Sequence, residues 1–247
     1  MIDLHCHILP GVDDGARTLD EAAAMCRLAA ADGCEAMIAT PHQRRGEWWN
    51  ADRERLAGLA GDLQAAVGSG LRVHLGGEVH VDPNLLAEVE KLPAAGGILP
   101  LAGSHYLLIE FGAGTPDSGA DLVHELVVAG WRPVVAHPEF IPWLAADLAV
   151  VARLVALGAA TQVTAMSLTG DFGRRPQADA LGLIEAGLVH FVASDSHDLR
   201  RRPPGLRRAH QAVAGRFGRD TAERLFVDNP RAVVEDRPLS APPEAVP

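Results

Sequence analysis

Residues 1–7 read MIDLHCH, a short apolar segment in which two histidines flank a cysteine. Successive side chains of a β-strand point to opposite faces, so His5 and His7 share one face and Cys6 occupies the other. Two imidazoles side by side are costly to bury without partners, but together they suit one metal ion. The segment therefore predicts a buried strand whose end carries metal ligands.

Short apolar runs alternate with longer amphipathic stretches along the rest of the chain. Strands are predicted at residues 2–7, 36–40, 71–76, 106–111, 133–137, 161–164 and 189–194. Helices are predicted near residues 19–32, 51–67, 120–129, 148–157, 176–186, 206–217 and 220–226, with Thr18 and Glu21 matching a helix cap. This alternation favours an α/β fold with parallel strands. About seven such units predict a barrel close to the TIM type, with an open doubly wound sheet as the alternative.

The bulk composition predicts a single domain over residues 1–235 and an irregular tail, rich in Pro and Ala, at 236–247. The chain has 247 residues, of which 48% are hydrophobic, and a net charge of −10. An acidic protein repels phosphate backbones, which disfavours a nucleic-acid partner. We find neither a signal-peptide pattern nor the roughly 20 apolar residues of a membrane span, and we expect a cytoplasmic protein without membrane insertion.

Histidine, aspartate and glutamate residues gather at the ends of the predicted strands and in one neighbouring loop. The candidate ligands are His5, His7, Asp14, His42, Glu78, Glu110, His137, Asp195 and His197. In a parallel barrel the carboxyl ends of all strands converge on one face, where active sites are built. A mixed nitrogen and oxygen set without thiolates suits Mn, Fe or Zn. The sequence therefore predicts a metal centre.

Eight segments, which occur in a fixed order along the chain, are specific enough to indicate a family. They are MIDLHCHILPGVDDGARTLDEA, ATPHQRRG, GGEVHVDPNLL, LLIEF, PVVAHPE, TQVTAMSLTGDFG, VHFVASDSHDLRRRPP and LFVDNPRAVV. In this order, they resemble the bacterial metal-dependent protein-tyrosine phosphatases of capsule and exopolysaccharide loci, within the polymerase-and-histidinol-phosphatase superfamily. The resemblance runs from Met1 to about Glu235.

The resemblance implies a distorted TIM-like (β/α)7 barrel that carries three metal ions. It assigns His5, His7, Glu78 and Asp195 to one ion, Glu78, Glu110 and His137 to a second, and Asp14, His42 and His197 to a third. It also places Arg202 as a catalytic, phosphate-contacting residue, because the planar guanidinium suits bidentate contact. The implied substrate is the phosphotyrosine-rich tail of a polysaccharide-export tyrosine kinase.

The expected reaction is attack by a metal-activated hydroxide on phosphorus, because metal coordination brings the pKa of water close to neutral. A phenolate with a pKa of about 10 leaves with less help from a general acid than an alkoxide. Mn²⁺ is the expected ion, with Fe or Zn as alternatives. A thiolate mechanism is not expected, since no arginine stands six positions after Cys6, Cys26 or Cys34.

One position departs from the family pattern. An arginine commonly follows the His-Pro-Glu segment of the fifth strand, and this chain has Phe140 there. Arg44 and Arg45, close to His42, are candidates to supply the missing charge for substrate binding. The pair Trp48-Trp49 could form a hydrophobic lip for a phenyl ring or simply pack on the rim of the barrel.

Three other functions compete with this interpretation. The first is a small-molecule phosphatase, such as a histidinol-phosphatase, that uses the same metals. The second is a nuclease or proofreading domain, which the acidic charge and the lack of a basic stripe disfavour. The third is a non-catalytic metal-binding domain. The remaining histidines, including His80 and His105, are interpreted as structural or surface residues.

Overall fold

The computed structural model describes residues 1–92, 97–114 and 119–239. Every strand pairing within these ranges is parallel, as predicted. The strands are β1 (Ile2–Cys6), β2 (Ala36–Ala39), β3 (His42–Gln43), β4 (Arg72–Leu75), β5 (Glu78–His80), β6 (Tyr106–Glu110), β7 (Arg132–Ala136), β8 (Ala160–Thr164) and β9 (Phe191–Ala193).

Two of the predicted strands continue beyond a two-residue interruption. β3 follows β2 and pairs with β5, while β5 follows β4, which pairs with β2. Pro41 lies in the first interruption and has no N–H to donate to the ladder. At Gly77, in the second, a Cβ atom would stand 2.1 Å from Oε1 of Gln43, so a larger residue would displace the Gln43 side chain. With each interrupted strand counted once, the described residues form seven strand positions.

The first strand meets the segment that follows the last one. The N–H of His7 donates to the Ser196 carbonyl at 2.8 Å, and the N–H of Asp195 donates to the His5 carbonyl at 2.9 Å. Asp3 adds a side-chain link, because its carboxylate accepts from the Ser194 N–H at 3.0 Å and from the Ser194 hydroxyl at 2.5 Å. These contacts join the two ladders into a distorted (β/α)7 barrel, which confirms the predicted fold class.

The helices are α1 (Leu19–Ala31), α2 (Arg53–Val67), α3 (Leu85–Val89), α4 (Gly119–Val128), α5 (Pro142–Ala145), α6 (Leu148–Ala156), α7 (Ala165–Thr169), α8 (Arg174–Glu185), α9 (Arg207–Phe217), α10 (Arg219–Glu223) and α11 (Asn229–Val234). The cap of α1 is present, since the Thr18 hydroxyl accepts from the Glu21 N–H. The helix predicted at 220–226 is longer, because a wide turn at Arg224–Asp228 connects α10 to α11. The short helices α3, α5 and α7, of five residues or fewer, were not predicted.

The barrel interior changes from apolar to polar along the strands. On β8 the inward-facing positions are Ala160, Gln162 and Thr164, whereas Val163 packs into the large apolar cluster between strands and helices. On β6 Leu108 lies in the inner apolar cluster, and Glu110 follows it at the end of the strand. The apolar half stabilises the barrel, and the polar half begins where the strands end.

The first residues of the predicted tail are irregular in structure but form hydrogen bonds with the barrel. The carboxylate of Asp236 accepts from Nδ1 of His105 at 2.6 Å and from the Arg132 guanidinium at 3.1 Å. The Tyr106 hydroxyl donates to the Arg237 carbonyl at 2.7 Å. Residues 240–247 lie outside the described ranges, and the domain boundary after residue 235 stays a prediction. No helix in the described ranges combines the length and apolar character needed to cross a bilayer.

Candidate metal centre

The nine predicted ligands converge at the carboxyl end of the barrel. The side chains contributed by the strand ends are buried, namely His5, His7, His42, Glu78, Glu110, His137, Asp195 and His197. The ninth, Asp14, comes from the loop before α1 and is 45% exposed at its side chain. Glu78, two residues beyond the strand predicted at residues 71–76, is the first residue of β5. This arrangement concentrates carboxylate and imidazole groups in a space that excludes most water.

Glu78 lies at the centre of the group. Its Oε1 is 2.9 Å from Nε2 of His137 and 3.4 Å from Nε2 of His5. Its Oε2 is 2.7 Å from Nδ1 of His42 and 3.5 Å from Nε2 of His7. Burial alone would raise the pKa of Glu78, but the charge of His5 and the bonds from the other imidazoles hold that pKa well below its usual range. Glu78 is therefore an anionic bridge between imidazoles.

Asp195 follows β9 in a left-handed conformation with φ of +51°. Its Oδ1 lies 3.5 Å from Nε2 of His5 and 3.4 Å from Nε2 of His7, and its Oδ2 accepts from the Arg202 guanidinium. Burial would raise the pKa of Asp195, yet the charges of His5 and Arg202 and the bond from His7 keep that pKa low. The backbone carbonyl of Asp195 also orients His197, whose Nδ1 lies 3.0 Å away.

Asp14, His42 and His197 form the outermost set. Oδ1 of Asp14 is 3.4 Å from Nε2 of His42 and 3.3 Å from Nε2 of His197. Partial burial would raise the pKa of Asp14, but the hydrogen bonds from these two rings lower it strongly. These three groups are close enough to share one ion.

His137 and Glu110 complete the ring of ligands. Extended backbone would place His137 on the outer face with Val135, but its left-handed φ of +31° turns the ring towards Glu78. Burial lowers the pKa of His137, and the hydrogen bond and charge of Glu78 outweigh that effect and raise the pKa to about 9. Oε1 of Glu110 is 4.0 Å from Nε2 of His137.

Two residues that orient the imidazoles escaped the sequence analysis. Oδ2 of Asp13 is 2.8 Å from Nδ1 of His7 and also accepts from the His42 N–H at 3.0 Å. Oε1 of Gln162 is 2.9 Å from Nδ1 of His5. Both contacts fix the rings so that the Nε2 atoms face each other, 3.3 Å apart. The available signals were the second acid beside Asp14 and an amide at an inward position of a buried strand.

A cavity of about 320 Å³ opens above these side chains. Arg45 and Arg202 line it, with Arg45 at 3.2 Å from Oε1 of Glu110. Arg44 does not reach it, because Asp82 holds the Arg44 guanidinium through contacts of 2.9 and 2.6 Å. The structure therefore brings Arg45 and Arg202, but not the predicted Arg44, to the cavity that would bind the substrate.

The aromatic lining differs from the Trp48-Trp49 lip considered in the sequence analysis. Trp48 stacks on the ring of His42 at 5.2 Å, and Trp49 is exposed beneath the Arg44 guanidinium. The described aromatic rings that line the cavity, apart from its histidines, belong to Phe140 and Phe172. Phe172 lies in the segment TQVTAMSLTGDFG quoted for the family resemblance, but it had not been identified as a site residue because its side chain carries neither a charge nor a metal-ligating atom.

The histidines and cysteines outside the predicted ligand set lie in different surroundings. His80 lies beside the centre, with Nδ1 at 3.3 Å from Oε2 of Glu110, whereas His105 contacts Asp236 in the tail. The three cysteines are buried, and burial raises the pKa of the Cys26 thiol to about 12. Such thiols are poor nucleophiles at neutral pH, in agreement with the expected absence of a thiolate mechanism.

Comparison with known proteins agrees with this geometry. A sequence model of the family described as capsular polysaccharide synthesis, CpsB/CapC, matches residues 1–235. The tyrosine-protein phosphatase YwqE of Bacillus subtilis is 34% identical over 256 residues, covering 100% of this chain and 96% of that protein.

Solved structures extend the comparison. One solved structure is described as showing YwqE of B. subtilis and CpsB of Streptococcus pneumoniae, unique metal-dependent tyrosine phosphatases. It matches this chain with a TM-score of 0.89 and 33% identity over the whole of both chains. The Escherichia coli phosphotriesterase homology protein, complexed with phosphate, matches with a TM-score of 0.56 and 13% identity over 93% of this chain and 96% of that one. The latter likeness shows the fold alone. The chain belongs to the CpsB/CapC family of capsular polysaccharide synthesis.

Proposed function

We propose that this protein is a metal-dependent protein-tyrosine phosphatase of a capsular or exopolysaccharide pathway. The observation that carries the proposal is the convergence of nine nitrogen and oxygen side chains beneath a cavity that Arg45 and Arg202 flank. The relatives named tyrosine-protein phosphatases support the same activity.

The donor set fits metal ions. Four groups of three or four side chains have ligand atoms within 4.8 Å of one another, and one group contains Asp14, His42 and His197 together with His7. The buried Nε2 atoms of His5 and His7 lie 3.3 Å apart, an arrangement of two ring nitrogens that one shared metal ion would satisfy. We propose three ions, divided as the family resemblance implies, and Mn²⁺ as the native metal because hard carboxylates and imidazoles are mixed.

When bound, the ions supply a hydroxide nucleophile at neutral pH and positive charge for the phosphoryl oxygens. Side chains of the protein orient the metal ligands and the substrate. Asp13 and Gln162 fix the rings of His7 and His5, and the buried surroundings exclude competing water. Arg202 and Arg45 place guanidinium groups at the cavity wall, where they would bind phosphate oxygens and stabilise charge as the ester bond breaks.

The proposed substrate is a tyrosine-phosphorylated protein of polysaccharide synthesis, and we propose the phosphotyrosine-rich tail of the export tyrosine kinase. The cavity supports a substrate that extends beyond the phosphate, because it is open at the carboxyl end of the barrel and partly apolar in lining. The proposed location is the cytoplasm, where such a kinase tail would be accessible.

The first experiment measures phosphate release from a phosphotyrosine peptide with and without added Mn²⁺, beside the double variant His5→Ala/His7→Ala and a chelated control. We expect metal-dependent turnover that the variant loses. Elemental analysis of each sample accompanies the assay. Protein that contains no metal and has no activity would contradict the proposal.

Two of the three competing functions are separated in the same assay. Faster turnover of histidinol phosphate than of the phosphotyrosine peptide would identify a small-molecule phosphatase. Bound metal without turnover of any phosphomonoester would identify a non-catalytic metal-binding domain. The matching relatives favour neither, since they are named as tyrosine phosphatases.

A further inference from the structure

Phe140 and Phe172 form an aromatic wall on one side of the cavity. Their rings meet edge to face, with centroids 5.4 Å apart and an interplanar angle of 80°. Phe140 follows β7 and Phe172 follows α7, so two different barrel loops supply the pair. Phe140 remains 39% exposed and lines the cavity, so part of its ring is open to a bound ligand. An exposed apolar surface inside a binding cavity indicates a contact with ligand.

The aromatic wall lies next to the groups that would hold a phosphate. The guanidinium carbon of Arg202 is 5.9 Å from the centre of the Phe172 ring. The ring of Phe140 lies 5.9 Å from that of His137, which contacts the central Glu78. If the phosphate of a substrate binds Arg202 and the metal ions, the ester group of that substrate would therefore lie along the two phenyl rings.

We propose that Phe140 and Phe172 form a subsite for the aryl group of the substrate, and that they select aromatic over alkyl phosphate monoesters. The inference rests on the proposed function and adds the residues that would recognise the ring. Aromatic pairs gain from edge-to-face or offset contact beyond the area they bury, whereas a serine or glycerol ester offers no ring to these walls.

The test compares equilibrium binding of phenylphosphonate and methylphosphonate to the Mn²⁺-loaded protein by calorimetry. These ligands share the phosphoryl group and differ in the ring. We expect phenylphosphonate to bind more tightly to the native protein. We expect Phe140→Leu and Phe172→Leu each to weaken its binding about 2- to 10-fold while methylphosphonate binding changes less than about 2-fold.

Trp49→Leu is the matched control, since Trp49 is an exposed aromatic residue on the neighbouring rim and is not among the described residues lining the cavity. It should leave the ratio of the two affinities unchanged. Thermal melts and metal content identify any variant that has lost its fold. An unchanged ratio in Phe140→Leu and in a folded Phe172→Leu would overturn the subsite while leaving the phosphatase proposal intact. Failure of the loaded protein to bind either phosphonate would overturn both.

Discussion

Oδ2 of Asp13 lies 2.8 Å from Nδ1 of His7, and this contact turns the other ring nitrogen towards His5. Burial lowers the pKa of His7, but the charge and hydrogen bond of Asp13 outweigh it and raise that pKa well above its usual range. A carboxylate in this position holds the ring orientation and increases the basicity of the ligand.

Asp13→Asn should therefore lower metal affinity by about 10- to 100-fold without unfolding the chain. The measurement is competition with a chelating dye at fixed pH. Asp20→Asn, which removes an exposed acid from the first turn of α1, is the control for the loss of one negative charge. Equal affinities in Asp13→Asn and the control would show that the contact is incidental.

Asp3 gives the stability of the metal-free protein a pH dependence. Burial raises the pKa of Asp3 to about 6, above the value of 3.8 for an exposed aspartate. Because the folded chain binds this proton more tightly than the unfolded chain, protonation of Asp3 adds to the free energy of unfolding. This contribution is complete below pH 3.8 and is lost as the pH rises through 6. Asp3→Asn preserves the size and cannot ionise. We expect its stability relative to the native chain to increase by about 1–3 kcal/mol between pH 4 and pH 7.

Chemical denaturation at several pH values, with chelator present, measures that difference. Asp3→Ala serves as the companion variant, because it also removes the hydrogen bonds to Ser194. It should be less stable than Asp3→Asn at every pH by about 1–3 kcal/mol. A difference between Asp3→Asn and the native chain that does not change with pH would contradict the assignment.

Metal loading should release protons. The pKa of His137 is raised to about 9 by Glu78, so its ring carries a proton at pH 7 in the metal-free protein. A metal must displace this proton, and the apparent affinity should rise with pH until about pH 9. Calorimetric titration of Mn²⁺ in buffers with different ionisation enthalpies gives the number of protons released. No proton release at pH 7 would rule out loading at this ring.

Arg202→Lys tests the role of the guanidinium. The lysine retains one positive charge but lacks the planar fork, and we expect kcat/KM for a phosphotyrosine peptide to fall about 10- to 100-fold. Arg44→Lys should change kcat/KM less than about 2-fold, since Asp82 holds Arg44 away from the cavity. Similar losses in both variants would indicate a general charge effect instead of phosphate contact.

Phe140→Arg places a cation beside Arg202 and removes one wall of the aryl subsite. Phosphate itself should bind more tightly, by about 5- to 50-fold, because charge-assisted contacts to a phosphoryl group are strong. The preference for phenylphosphonate over methylphosphonate should decrease in the same variant. Inhibition by inorganic phosphate measures the first effect, and an unchanged inhibition constant would show that position 140 does not face the phosphate.

The sequence was sufficient to predict the barrel and the convergence of the candidate ligands. The reason is geometric, because the strands of a parallel barrel all end on one face and the polar residues recur where the apolar runs stop. The short strands β3 and β5 were not predicted, because they lie beyond the predicted strands at residues 36–40 and 71–76, after interruptions that contain Pro41 and Gly77.

The contacts around the centre depend on loop conformation that periodicity does not encode. Asp13 and Asp14 are adjacent acids, and only the folded loop shows that Asp13 faces His7 whereas the half-exposed Asp14 faces His42. Gly15 permits that loop, because a Cβ atom there would lie 2.1 Å from the His7 carbonyl oxygen. Arg44 and Arg45 diverge in the same way, because Arg44 has a left-handed backbone with φ of +61°.

The seam between β1 and the segment after β9 joins residues 191 positions apart in the chain, as in the contact of Ser194 with Asp3. His5 and His7 leave the ribosome long before Asp195 and His197 have been synthesised. Contacts of such long sequence separation form late, because the loop that they close is large. We therefore expect the ligand sets that include Asp195 or His197 to be completed near the end of folding, and a nascent chain interrupted before residue 195 would be released without the full centre.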